Sequence, residues 1–272
     1  MKEKIISAVI YILTTVLGAF AYLYPLLDSS GRLAGITSRN NDLPLMMAVL
    51  LALCILVLIY EIQEVRLSTK IVALLGVLIA INATLRFIEL ALPVFGGFSP
   101  VFFLILITGY IFGGRVGFLM GALTILVSAL ITGGIGPWLP NQMFTAGWVG
   151  MSATFVRRLA VWTHQENKRA EIWMLVVFGA IWGLLYGAIT NLWFWPFLAG
   201  PGNQVFVPSS SLLTSLRNYG IYYLATSLIW DTGRAVGNVL LVLIFGKASL
   251  KVLRRFQKRF HFILENPIEV TQ

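Results

Sequence analysis

Apolar residues fill long stretches of this chain, separated by short breaks that carry charge, glycine or proline. Measured against those turn signals, the stretches divide into eight candidate membrane spans: Ile5–Leu27, Leu43–Tyr60, Ile71–Ala91, Val101–Phe112, Val116–Thr132, Asn141–Val156, Ile172–Trp195 and Asn218–Phe245. The stretch from Pro93 to Arg158 organises the rest. As one helix, Val101–Thr132 would far exceed the roughly 20 residues that cross a bilayer. Gly113, Gly114 and Arg115 therefore mark a reversal at a membrane surface, where glycine frees the backbone and arginine reaches water or headgroups. The next break, GGIGPWLPNQ from Gly133 to Gln142, is uncharged and holds Trp138, two prolines, Asn141 and Gln142. That composition suits the lip of a ligand cavity better than a plain turn.

Composition narrows the class. With 272 residues, only 11% of them charged, and a mean hydropathy of +0.86, the chain is too apolar for a soluble globular domain. It reads as an all-α integral membrane protein of about eight transmembrane helices. The single cysteine, Cys54, lies in an apolar run, so neither a disulfide framework nor a thiolate metal site is expected. Ile5–Leu27 reads as a span and not a cleaved signal, because Tyr22, Tyr24 and Pro25 stand where small residues would be needed.

Charge sets the topology. With a cytoplasmic N-terminus, fifteen of the twenty Lys and Arg residues fall on the inner side and three (Arg32, Arg39, Arg217) on the outer, while Arg86 and Arg234 lie within spans. This bias fits an even number of spans with both termini cytoplasmic, and it replaces a nucleic-acid reading of the net charge of +9. The basic segment beyond Lys247 is either a solvated end or a contact with the anionic inner leaflet. The loop Glu61–Lys70 is the internal boundary. It separates a two-helix extension, residues 1–67, from a six-helix core, residues 68–260, followed by a cytoplasmic tail, residues 261–272.

Candidate chemistry is polar and most of it lies at the outer ends, with Asp231 about 20 Å deeper than Asn218 at ~1.5 Å per residue. Arg86 and Glu89 are three residues apart, as are Asp231 and Arg234, so each pair shares a helix face and is either self-neutralised or functional. Phe98, Trp138, Asn141, Gln142, Asn191, Trp195, Asn218 and Tyr222 gather on the same side. Interfacial girdles account for many Trp and Tyr residues, whereas four separated amides fit polar groups that converge on one ligand. Small residues recur every four positions at Gly109, Gly113, Gly117 and Gly121, at Gly179, Gly183 and Gly187, and at Gly76, Ala80 and Thr84. This spacing lets helices approach closely in a membrane. No phosphate-binding loop, HExxH or G-x-S-x-G occurs, so no catalytic residue, metal or cofactor is assigned and the chain is not expected to be an enzyme.

The six later spans, the run GYIFGGRVGFLMGALTILVSALITGGIGPWLPNQMFTAGWVG with its glycine-arginine turn and G-P-W-x-P-x-Q, and the small-residue face of the third span together resemble the substrate-binding S-component of an energy-coupling-factor (ECF) vitamin transporter. That resemblance implies capture of a vitamin or related micronutrient at the outer face of a bacterial or archaeal cell membrane. It also implies inward delivery with a transmembrane coupling protein and two ATP-binding subunits. The loop Leu92–Pro100 would be a lid, and Gly76 with Ala80 would stand for the family's Ala-x-x-x-Ala docking face. Arg86 or Glu89 would anchor polar groups, Trp138 and Trp195 would stack, and Asn141, Gln142, Asn191 and Asn218 would hydrogen-bond. The number of Trp and Tyr residues favours a corrinoid or flavin over a small acid. The rival readings are a membrane enzyme acting on a lipid or quinone and a non-transporting sensor or assembly factor.

Overall fold

The computed structural model describes residues 69–91, 96–136, 138–195, 198, 204–207 and 210–261. The two leading spans, Ile5–Leu27 and Leu43–Tyr60, and residues 262–272 of the tail lie outside the described residues. The described chain is helical throughout: α1 (Thr69–Ala91), α2 (Val101–Phe112), α3 (Gly114–Thr132), α4 (Leu139–Trp162), α5 (Arg169–Phe194), α6 (Leu212–Thr226) and α7 (Leu228–His261). Four of these, α1, α3, α5 and α7, contain windows long and apolar enough to cross a membrane.

The short helix α2 is the hub. At about 1.5 Å per residue its twelve residues cover only about 18 Å, and ten of them are buried. It packs against α1, α3, α4, α5 and α7. A helix too short to span is tolerable at this depth because protein encloses it and its terminal carbonyls find partners. Arg157 Nη1 and Gln257 Nε2 each donate to the Ile111 carbonyl at 2.7 Å. Immediately afterwards Gly113 takes φ +93°, which disfavours any side chain, and its N–H bonds the Gly109 carbonyl at 3.0 Å. One residue thus joins α2 to α3, the reversal expected at Gly113–Arg115.

The glycine spacing is a packing device. A Cβ at Gly109 would lie 1.9 Å from the Gly150 carbonyl oxygen, and one at Gly117 would lie 2.3 Å from that oxygen and 2.6 Å from the Gly109 Cα. At Gly121 it would meet the Ala146 carbonyl oxygen at 2.1 Å. Helices α2, α3 and α4 therefore touch backbone to backbone, the kind of contact that replaces the hydrophobic effect in lipid. The second ladder brings α5 and α7 close, with Gly183 against the Ala235 backbone and Gly187 against the Asp231 carboxylate. The third stripe differs. On α1, Leu75, Leu78, Ile79 and Ala83 enter the core, whereas Gly76, Ala80 and Thr84 are exposed on the opposite face.

One element departs from the sequence reading. The single span Asn218–Phe245 is two helices, α6 and α7, interrupted at Ser227, so the six spans of the core become seven helices among the described residues. The break falls at Ser227 (φ −116°, ψ −28°), whose Oγ accepts the Asn191 Nδ2 hydrogen bond at 2.8 Å. A side-chain bond from α5 thus ties down the interruption, in a segment longer than one bilayer crossing. Ser211 caps the start of α6 by accepting the Thr214 N–H at 3.2 Å.

Gly117→Ala should lower the thermal stability of the detergent-solubilised protein by the ~1–3 kcal/mol typical of overpacking. Gly76→Ala, with no atom within 4 Å of the added methyl, should leave it unchanged. Paired melts followed by tryptophan fluorescence test both, and equal melting of the two variants would contradict the three-helix contact.

Candidate functional site

Asn82, Arg86 and Glu89 fall at i, i+4 and i+7 on α1 and share its inner face. At the upper end of that face lies a cavity of about 140 Å³ lined by Arg86, Glu89, Ser99, Val101, Phe102, Ile125, Gln142, Tyr186 and Arg234. Six polar side chains thus reach it from α1, α4, α5, α7 and the loop before α2. Arg86 Nη2 donates to Gln142 Oε1 at 3.3 Å, and Ser99 Oγ donates to Glu89 Oε2 at 2.7 Å. Below them, Asn82 is fully buried and donates to the Val101 carbonyl at 3.0 Å and Thr124 Oγ1 at 3.3 Å.

The two intramembrane charge pairs behave differently. Arg234 pairs with Asp231 on its own helix and also donates to the Gly183 carbonyl at 3.3 Å. Its guanidinium sits 5.6 Å from the Phe102 ring and 5.2 Å from the Tyr186 ring, and those rings meet edge to face at 4.5 Å. Carboxylate, carbonyl and two π faces together stabilise a desolvated cation. Arg86 and Glu89, by contrast, turn to separate neighbours and present their polar atoms to the cavity.

The loop ahead of α2 lies against α7. Gly97 has φ +85°, and a Cβ there would come within 1.8 Å of the Trp230 carbonyl oxygen. A Cβ on Gly233 would meet the Gly96 carbonyl oxygen at 1.8 Å, and one on Gly237 would meet the Phe98 ring at 2.5 Å. Glycines on both partners thus form a notch that seats residues 96–98. Residues 92–95 of the expected lid lie outside the described residues.

The four amides take four different sets of partners. Gln142 lines the cavity, whereas buried Asn141 donates to the Thr190 carbonyl at 3.3 Å and links α4 to α5. Asn191 bonds Ser227, and Asn218 donates to the Val205 carbonyl at 3.3 Å. Trp195 is fully buried, donates from Nε1 to the Gln204 carbonyl at 2.8 Å, and packs edge-on against Phe206 and Tyr219. Tyr222 stacks at a tilt on Tyr219. These aromatics form a cluster around α6. Trp138, 45% exposed, stands at the start of α4, and Gly76 and Ala80 stay on the outward face of α1.

Sequence reasoning missed Phe102 and Tyr186 as cavity walls and missed Asn82 beneath them. A lone amide in mid-span was the available signal for Asn82. Glu171 was missed as well. It is 2% exposed at the opposite, basic end of the bundle, where it accepts from the Tyr110 hydroxyl, from Arg254 and from the Asn167 N–H. Among the described residues no group of three His, Cys, Asp or Glu side chains could hold a metal ion.

Comparison with known proteins gives one match. A protein-family model, described as ECF transporter, substrate-specific component, matches residues 70–246. No curated protein and no solved structure matches the chain.

Removing Arg234 leaves buried Asp231 without its cation. Arg234→Leu should therefore cost about 3 kcal/mol of stability, the penalty of breaking a buried pair, and Asp231→Asn added to it should recover part of that loss. A double-mutant cycle of thermal melts in detergent checks this, and simple additivity would contradict the pairing.

Proposed function

Because the chain belongs to the family of ECF transporter substrate-specific components, it is a membrane substrate-binding transporter subunit and not an enzyme, and we propose that it holds its substrate in the cavity between α1, α2, α4, α5 and α7. The observation that carries this reading is the convergence of Arg86, Glu89, Ser99, Gln142 and Arg234, from distant parts of the chain, on one hollow in an otherwise apolar bundle. Charged groups within a membrane persist where they serve a ligand or a pathway. The excess of Lys and Arg at the other end of the bundle supports an opening toward the outside of the cell, with both termini cytoplasmic.

The substrate we infer is a compact micronutrient with polar groups. A volume of about 140 Å³ lies well below the ~300–1,000 Å³ of drug-sized pockets. With Arg234 neutralised by Asp231, Arg86 and Glu89 offer the guest one charge of each sign. The corrinoid or flavin favoured by the aromatic count finds less support, because Trp195, Tyr219 and Tyr222 pack against one another. Arg86, Glu89 and Gln142 would bind the polar groups, with Phe98 and Ser99 supplied by the loop that covers them. In the same reading Asn141, Asn191, Trp195, Asn218 and Tyr222 brace the wall of the site, and Trp138 stands at its rim.

Transport itself needs partners. Without a phosphate-binding loop the chain would draw on ATP hydrolysed by two associated subunits, transmitted through a membrane coupling protein. The exposed face of α1 at Gly76 and Ala80 fits that contact, since its small side chains leave a shallow track for a second helix. Loop 96–100 would lift from the Gly233–Gly237 notch to admit substrate and reseat over it.

Two measurements test this. Mass spectrometry of small molecules that co-purify with the protein identifies the ligand, and calorimetry should then show Arg86→Gln and Glu89→Gln binding it at least roughly tenfold more weakly, as expected for a lost charge-assisted hydrogen bond. Unchanged affinity in both variants would move the site elsewhere. Ala80→Leu should retain ligand affinity yet lose co-purification of the coupling protein, and full assembly of that variant would reject the α1 docking face.

A further inference from the structure

At the end of the bundle opposite the cavity, α5 and α7 border a groove of about 500 Å³. We propose that this groove is a second binding site, one that takes a phosphate group carried either by an anionic phospholipid headgroup of the inner leaflet or by soluble phosphate. Lys168 and Arg169 reach it from the start of α5, and Lys247, Lys251, Arg255 and Lys258 reach it from α7. Ile172 and Leu250 give it an apolar floor.

The charge balance makes an anion the natural occupant. The one acid in the groove, Glu171, is already engaged by Tyr110, Arg254 and the Asn167 N–H. Arg254 is engaged in return, bonding Glu171 and, at 2.6 Å, Asn167 Oδ1. The other six cations have no ion pair among the described residues. Lys247, Lys251 and Arg255 follow one another at i, i+4 and i+8, so like charges stack along one face of α7, an arrangement that destabilises a helix unless something neutralises it. The start of α5 adds to the field, because Lys168 at its N-cap makes no side-chain capping bond and the positive end of the helix dipole faces the groove.

Depth supports a lipid source. The 34 residues of α7 cover about 51 Å at 1.5 Å each, against a hydrocarbon core about 30 Å thick. Lys247 comes about 20 residues after Leu228, one hydrocarbon thickness along the helix. The cations thus begin at headgroup level, on the side that the Lys and Arg bias assigns to the cytoplasm.

The test uses the full-length chain in nanodiscs of phosphatidylcholine mixed with phosphatidylglycerol, with retained lipid counted by native mass spectrometry. The protein should keep phosphatidylglycerol about tenfold over phosphatidylcholine. Combined Lys247→Gln, Lys251→Gln and Arg255→Gln should abolish that preference, while Arg158→Gln, an exposed cation outside the groove, should keep it. All three substituted side chains are exposed, so the variant should melt as the parent does in pure phosphatidylcholine. A salt titration of the unaltered protein gives a second readout, and the preference should fall as salt rises. Displacement of phosphatidylglycerol by inorganic phosphate identifies soluble phosphate as the source, and persistence identifies the lipid. Equal retention by parent and triple variant, or equal loss in Arg158→Gln, overturns the proposal. So does a triple variant that keeps its lipid but loses a protein partner.

Discussion

At Gly109, Gly117 and Gly150 three helix backbones come so close that no side chain fits between them. In lipid the burial of apolar surface does little to bring helices together, and packing of this kind takes over. The short helix α2 can then sit inside the bundle with the Ile111 carbonyl near its end held by Arg157 and Gln257. The same contact draws α4 inward. Gln142 thus arrives opposite Arg86.

Charge is handled in opposite ways at the two ends of this frame. At one end Arg86 and Glu89 are held by neutral partners, Gln142 and Ser99, and open onto a cavity. Neutral partners leave the formal charges available to a guest. At the other end Glu171 is closed off by a hydroxyl, a guanidinium and a backbone N–H, which ties α2, α5 and α7 together. Asp231 and Arg234 lie between these cases. They neutralise each other, yet the arginine still forms one wall of the cavity against Phe102 and Tyr186. A substrate-binding subunit needs both treatments: groups that a ligand can discharge, and fixed joints that keep the bundle in register around it.

Several of these features were legible along the chain. The glycine-arginine break at 113–115 is a one-residue reversal, and the ladders on α3 and α5 mark close helix contacts. Arg86, Glu89 and Gln142 do share a hollow, although each was singled out for its depth and side alone. Other features were not legible. Ser227 reads as one more small polar residue in a long apolar run until Asn191, from another helix, bonds it. Glu171 reads as a loop acid because it follows Lys168 and Arg169, and only folding buries it beneath Arg254.

The sequence by itself determined that the chain is a helical membrane protein and which family it resembles. Those properties follow from composition and from periods of three and four residues, which are local along the chain. Only the tertiary structure decided which polar residues meet. Asn141, Asn191 and Asn218 have the same chemistry and much the same depth as Gln142, yet they bind backbone and hydroxyl partners on α5, Ser227 and the segment before α6. Tyr186 and Phe102, unremarkable among eighteen phenylalanines and nine tyrosines, became cavity walls because the rotation of α5 and α2 brought their rings against Arg234. Helix rotation is fixed by contacts between residues far apart in sequence, and a local pattern carries no record of them.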